Sequence, residues 1–282
     1  MGGSEGVAEA VRHWRRLGVS WVTVLDPREE LLAAAREAGI EVVARVYSPS
    51  IYQTGDIEAI TRRMVAHGMR YVIPYNEPNL RVECAGNRPD PVDFARRWVE
   101  AAEAIGRHHG YPVLTPLAPE GDYPDYAYFR AMLAEVVRLR GVEWLLDLRV
   151  VVGVHAYIMR PGGDFRERFY EYNEIVKAQT GLILPMLATE GGVAPGLPAA
   201  AGWSPVEETV AVVRTLLNGG LPDYVLGASL WVYSNRAQGG HDARFEKAAW
   251  VGPYGPRPIF EAVEELHGPA AVVPRGANEP SG

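Results

Sequence analysis

Glu77 and Glu190 are the residues of this sequence best placed to do chemistry. Each closes a markedly apolar run: Glu77 follows Tyr71 to Asn76, and Glu190 follows Leu182 to Thr189. An unpaired carboxylate at the end of a buried strand is expensive to hold, so two such positions point to a task. Glycosidic bond cleavage needs a facing pair of carboxyl groups. One protonates the leaving oxygen, and the other attacks the anomeric carbon or activates water from the opposite side. Taken singly, each glutamate is equally suited to a strand-end ion pair or a helix cap. The other strand ends carry Asp26, Tyr47, Glu120, His155 with Tyr157, and Trp231 with Tyr233.

The elements that must position these residues alternate in period. Helices are predicted over 7–17, 28–38, 56–67, 91–108, 126–140, 165–179, 205–218 and 257–267, and strands over 21–25, 42–47, 71–75, 113–117, 150–157, 183–189 and 225–232. The strands are short apolar runs without strict alternation, as in a parallel sheet buried on both faces. Gly18, Gly39, Gly68, Gly110 and Gly181 precede strands and read as helix C-caps feeding tight turns. A βα order sustained this long predicts a parallel α/β fold, barrel or open sheet. The strands number seven rather than eight, and the chain opens on a helix. Truncation, an irregular start, or closure by the flanking segments would each account for that.

The flanks of the two glutamates carry a family resemblance. Asn76-Glu77-Pro78 resembles the acid/base motif that ends the fourth strand in clan A of the glycoside hydrolases, which are retaining β-glycosidases on (β/α)₈ barrels. Thr189-Glu190-Gly191 resembles that clan's nucleophile motif, which ends the seventh strand. Here the two end the third and sixth predicted strands. The common offset is what one missing first strand produces. The resemblance implies an α/β fold of the TIM (β/α)₈ type with its first strand missing or irregular. It covers residues 7–267 as one domain; the segment 268–282, rich in Pro, Ala and Gly, is expected to be disordered. It implies β-glycoside hydrolysis with retention, with Glu77 as acid/base, its pKa raised, and Glu190 as nucleophile. Asn76 would bind the sugar 2-hydroxyl, and Tyr157 would hydrogen-bond the nucleophile. His155 would contact the sugar or support a neighbour, Trp231 would floor the reacting sugar, and Tyr47 would contact substrate. Many clan members hold the nucleophile with an arginine on the second strand, and the matching strand 21–25 has none. Arg45, on the next strand, is left to substitute, to point outward, or to pair with Asp26. The alternatives are a barrel using these carboxylates with a divalent metal and a non-catalytic carbohydrate-binding barrel.

Composition narrows the rest. The chain has 282 residues, 48% hydrophobic content and a net charge of -7. That suits a single barrel of roughly 250 residues and argues against binding nucleic acid or an anionic membrane, which needs a concentrated basic surface. No apolar run is long enough for a transmembrane helix. With no signal-peptide pattern the chain as written reads as cytoplasmic, and as secreted if it is a fragment or a mature form. The lone cysteine, Cys84, rules out an intrachain disulfide and reads as a bystander. No cofactor is implied, and no local His-x-x-x-His spacing suggests a metal. The partner expected is an oligo- or polysaccharide. The loop aromatics Tyr52, Tyr123, Tyr126, Trp203 and Trp250 are candidates to line sugar subsites, with packing equally suited to each. The Gly-Gly pairs at 162, 191 and 239 lack phosphate-loop context.

Overall fold

A computed structural model describes residues 4–194, 204–234, 236–237, 240–241, 249–252 and 255–267. Trp203, Gly239 and the segment 268–282 lie outside the described residues. The order is α1 (Ser4–Arg16), β1 (Trp21–Leu25), α2 (Glu29–Ala38), β2 (Glu41–Arg45), α3 (Ile57–Ala66), β3 (Tyr71–Ile73), α4 (Pro91–Arg107) and β4 (Tyr111–Leu114). It continues with α5 (Asp125–Arg140), α6 (Val142–Asp147), β5 (Val151–Ile158), α7 (Glu167–Thr180), β6 (Met186–Val193), α8 (Pro205–Leu217), β7 (Val225–Ala228) and, after two short antiparallel ribbons, α9 (Pro258–Glu264). The seven long-range strands form one parallel sheet in sequence order, β1 to β7. With helices outside it, this is a nearly closed α/β barrel of the TIM type with one strand fewer than eight. No helix among the described residues is long and apolar enough to cross a membrane.

Local chemistry explains the helix ends. The Asp90 side chain accepts from the N–H groups of Val92 and Asp93, and Pro91 opens α4, where a missing N–H costs nothing. Asp56 caps α3 and Ser204 caps α8 in the same way. Four of the expected C-cap glycines do adopt left-handed φ: Gly18 at 61°, Gly39 at 71°, Gly68 at 81° and Gly181 at 71°. Gly110 does not. His109 takes the left-handed turn there (φ 62°), and Gly110 is needed for space, since a Cβ would lie 2.7 Å from both Ile105 and Thr61 side-chain carbons. The strand expected from Ile183 begins only at Met186, because Ile183 is exposed and Pro185 has no N–H to donate to a ladder. Helix α6 and the ribbons fall within predicted loops. Gly191 and Gly192, expected in a loop, are inside β6.

Two apolar layers hold the barrel. The larger lies between sheet and helices. Trp98 of α4 is fully buried there, and its indole N–H donates to the Val113 carbonyl of β4 (3.1 Å). The smaller fills the barrel interior with Val43, Ile73, Val113, Val151 and Leu187, against Trp21 and Tyr71. Strand side chains alternate between faces, so residues an even number of positions beyond this plug also face inward. On β2 that residue is Arg45, and on β5 they are His155 and Tyr157.

The expected gap is narrow. No strand pairing joins β1 to β7 among the described residues, but their side chains meet across it. The Thr23 hydroxyl donates to Ser229 Oγ at 2.9 Å, and the Trp21 ring lies where a Cβ on Gly227 would come within 3.0 Å of it. A cavity of about 710 Å³ runs along this seam, lined by residues that include Trp14, Leu17, Val213, Leu226, Arg45 and Trp231. A Gly227→Val substitution should force β1 and β7 apart and lower unfolding free energy by about 1–3 kcal/mol, measurable by urea denaturation. An unchanged midpoint would show that the seam tolerates the added side chain.

Candidate active site

Glu77 sits just past β3 with φ 44°, a left-handed backbone that costs a non-glycine residue about 1–2 kcal/mol. The position is held from both sides. Its N–H donates to the Pro116 carbonyl (3.1 Å), and its own carbonyl accepts from Leu80 (2.9 Å). Beneath it, the fully buried Asn79 ties this loop to the one after β4, accepting from the Ala118 N–H (2.9 Å) and donating to the carbonyls of Ala118 (2.8 Å) and Tyr123 (3.1 Å). Glu190 lies inside β6, opposite His155 of β5. The register of the two strands slips between Val154 and His155: Val154 pairs with Ala188, but His155 pairs with Glu190. Such bulges re-aim side chains beside active sites, and this one brings the imidazole between the two carboxylates.

The site's contacts are short and mostly charged. Arg45 Nη1 donates to Glu190 Oε1 (2.6 Å) and to Asn76 Oδ1 (3.1 Å). The Tyr157 hydroxyl donates to Glu190 Oε2 (2.7 Å), so both Glu190 oxygens are held. Asn76 Nδ2 donates to Glu77 Oε2 (3.2 Å). His155 Nδ1 lies 2.9 Å from Glu77 Oε1, and its Nε2 is 3.8 Å from Glu190 Oε1 with no hydrogen-bond partner of its own. The His155 side chain is completely buried. One oxygen of Glu77, one of Glu190 and one ring nitrogen of His155 all lie within 4.8 Å of one another. Trp231 lines the seam cavity beside Arg45 and Glu190. Tyr47 follows β2 and is 55% exposed.

The surroundings of Glu77 differ from the sequence expectation of a raised pKa. Burial does push its carboxyl upward, but the hydrogen bond and charge of His155, the charge of Arg45 and the Asn76 amide together outweigh it, and the group is held below the ordinary glutamate range. Such a carboxyl is ready to act as a base. Its protonated form is reached only toward the acid end of the pH range. Replacing His155 with Asn removes the main lowering influences, so Glu77 should hold its proton to higher pH. The alkaline limb of kcat/KM, which follows loss of that proton, should then move upward. An unmoved or downward-shifted limb would show that His155 does not control Glu77.

Several candidates take other places. Asp26 does not pair with Arg45; its carboxylate accepts from the Tyr47 N–H (2.9 Å). Glu120 is an exposed loop residue and joins none of these contacts. Tyr123 packs edge-on against Tyr128, Tyr126 against Tyr172, and Trp250 is buried in a cluster with Leu17, Val213 and Phe260. Cys84 is buried, its thiol donating to the Pro78 carbonyl (3.3 Å) and pushed up to about 11, mainly by burial. Glu77, His155 and Glu190 are the one group of three metal-capable side chains found this close among the described residues. A cation there would compete with the fixed guanidinium of Arg45 on Glu190. Asn79 escaped sequence inspection, because a buried amide that bonds only backbone leaves no spacing signal.

No protein-family model matches this sequence, and no curated protein is significantly similar to it. Solved structures do share its fold. A GH128 (subgroup II) endo-β-1,3-glucanase from Pseudomonas viridiflava is 16% identical, with a TM-score of 0.59 over 88% of this chain and 90% of that one. Its counterpart from Sorangium cellulosum is 19% identical, with a TM-score of 0.58 over 90% and 93%. A GH39 β-xylosidase from Caulobacter crescentus is 16% identical, with a TM-score of 0.60 over 93% and 67%. The barrel of this chain is therefore the barrel on which these glycoside hydrolases are built.

Proposed function

We propose that this protein is a glycoside hydrolase that cleaves β-glycosidic bonds with retention of configuration, using Glu190 as nucleophile and Glu77 as acid/base. The observation that carries the proposal is the short gap between the two carboxylates. Retaining enzymes hold them about 5–5.5 Å apart, and inverting enzymes leave roughly 6.5–9.5 Å for a water molecule. One oxygen of Glu77 and one of Glu190 lie within 4.8 Å of each other, which supports the retaining reading. The fold neighbours support the same class, since a glucanase and a xylosidase acting on β-linkages share this barrel.

In the first step a Glu190 oxygen bonds to the anomeric carbon while the leaving oxygen departs with the Glu77 proton. Arg45 and Tyr157 hold both Glu190 oxygens and keep the carboxylate aimed, so little reorganisation is needed at the moment of attack. In the second step Glu77 takes a proton from water, the water oxygen attacks the same carbon, and Glu190 leaves. In this reading Asn76 would contact the sugar 2-hydroxyl, Trp231 would pack on the apolar face of the ring, and Tyr47 would contact substrate. His155 acts from beneath, through the two carboxylates.

Labelling by a panel of activated 2-fluoro β-glycosides, followed by peptide mapping, tests the assignment, with label expected on Glu190. Proton NMR of the first-formed sugar should show the β-anomer, and an α-anomer would overturn retention. Activity should survive chelation by EDTA; its loss, with restoration by a divalent metal, would favour the metal-dependent reading. Sugar binding without turnover of any substrate would favour the non-catalytic one.

A further inference from the structure

Glu83 is a third carboxylate at the site, and the chemistry above leaves it idle. It lies in the loop after β3, six residues beyond Glu77, and its side chain forms no hydrogen bond or ion pair among the described residues. It is half-buried and close enough to Glu77 and Arg45 for their charges to act on it. Burial first, then Glu77, push its carboxyl up to about 7. The position is not a flexible accident. The next residue, Cys84, is anchored to Pro78, its N–H bonds the Leu80 and Arg81 carbonyls, and Glu83's own carbonyl accepts from Ile51 (2.8 Å).

That last bond stitches Glu83 to the loop after β2, which the Gly55 N–H to Tyr47 carbonyl bond (3.0 Å) closes on itself. This loop carries two exposed aromatic rings, Tyr47 and Tyr52, the latter 42% exposed. Tyr52 is held in place rather than loose. The Arg97 guanidinium sits 4.7 Å over one side of its ring and is itself tied to Asp93 at 3.0 Å. A buttressed, partly exposed aromatic one residue from the backbone that bonds Glu83, together with that half-buried carboxylate, suits one ligand class well. The apolar C–H face of a pyranose packs on the ring, while two neighbouring hydroxyls donate to the two carboxylate oxygens.

We propose that Tyr47, Tyr52 and Glu83 form a second sugar subsite beside the catalytic pair, and that the substrate is therefore a neutral β-linked oligosaccharide rather than a single-sugar glycoside. The inference rests on the glycosidase reading and deepens it. A uronic acid at this position would set its carboxylate against Glu83, with Glu77 nearby, so acidic chains are disfavoured.

Kinetics on three substrate sets test it: aryl β-glycosides of one sugar, neutral β-linked oligosaccharides of two to five units, and uronate-containing oligosaccharides. The wild-type protein should gain at least tenfold in kcat/KM from the first set to the second, and should disfavour the third. Glu83→Gln, which keeps the shape, and Tyr52→Ala should each cut that gain at least fivefold, with the loss in KM and the melting temperature within the wild-type range. A gain that persists in both variants, or a preference for uronates, would overturn the subsite. If no glycoside is turned over, the catalytic assignment fails separately. Calorimetric binding of the same neutral oligosaccharides then decides: weakening by Glu83→Gln supports the subsite, and unchanged affinity rejects it.

Discussion

Replacing Glu190 with alanine should lower turnover by at least about four orders of magnitude, the scale seen when a covalent nucleophile is removed. The expectation follows from how completely this carboxylate is committed. Both oxygens are already bonded, one to the Arg45 guanidinium and one to the Tyr157 hydroxyl. Glu77 cannot take its place, because it is turned toward His155 and Asn76. Sodium azide should restore part of the activity to the alanine variant by attacking the anomeric carbon in the vacated space, giving a glycosyl azide of inverted configuration. Circular dichroism and sugar binding distinguish this chemical loss from unfolding. An alanine variant that keeps more than about a tenth of wild-type turnover would remove Glu190 from the nucleophile role.

Glu77→Gln should cost about 10²–10⁴-fold, the usual worth of a positioned acid/base, and the loss should depend on the leaving group. A dinitrophenyl group departs without a proton, so its glycoside should form the covalent intermediate almost normally and then stall, because no base activates the water. A burst of dinitrophenol followed by a slow steady state is the expected trace. Alkyl or sugar leaving groups need the proton and should show the full loss in the first step. A uniform loss across leaving groups would argue that Glu77 is structural. The bell-shaped pH profile should lose its alkaline limb in this variant, since the titrating acid is gone.

Much of the barrel was legible in the sequence. The alternation of apolar runs with amphipathic helices, punctuated by Gly39, Gly68 and Gly181, located seven strands, because parallel strands buried on both faces read as short apolar runs; their order in the sheet came from the structure. Glu77 and Glu190 stood out for the same reason: a carboxylate that ends such a run needs a purpose. Boundaries were less legible. Ladder bonding, not hydrophobicity, starts β6 at Met186 rather than Ile183, and the left-handed turn at His109 carries no residue signature.

What the sequence by itself determined was the set of strand-end side chains; that Arg45, His155 and Tyr157 share the inward face came from the structure, where they follow the interior plug at even spacing. Only the tertiary structure decided which of them meet. Arg45 reaches Glu190, 145 residues away along the chain, and not Asp26, because the sheet curls until β2 and β6 face each other across the barrel. The β5–β6 bulge sets His155 between the carboxylates, which holds Glu77 low rather than high. Those outcomes depend on distances between strands far apart in sequence. Local pattern carries no record of them, because the Coulomb and hydrogen-bond energies involved change over an ångström or two.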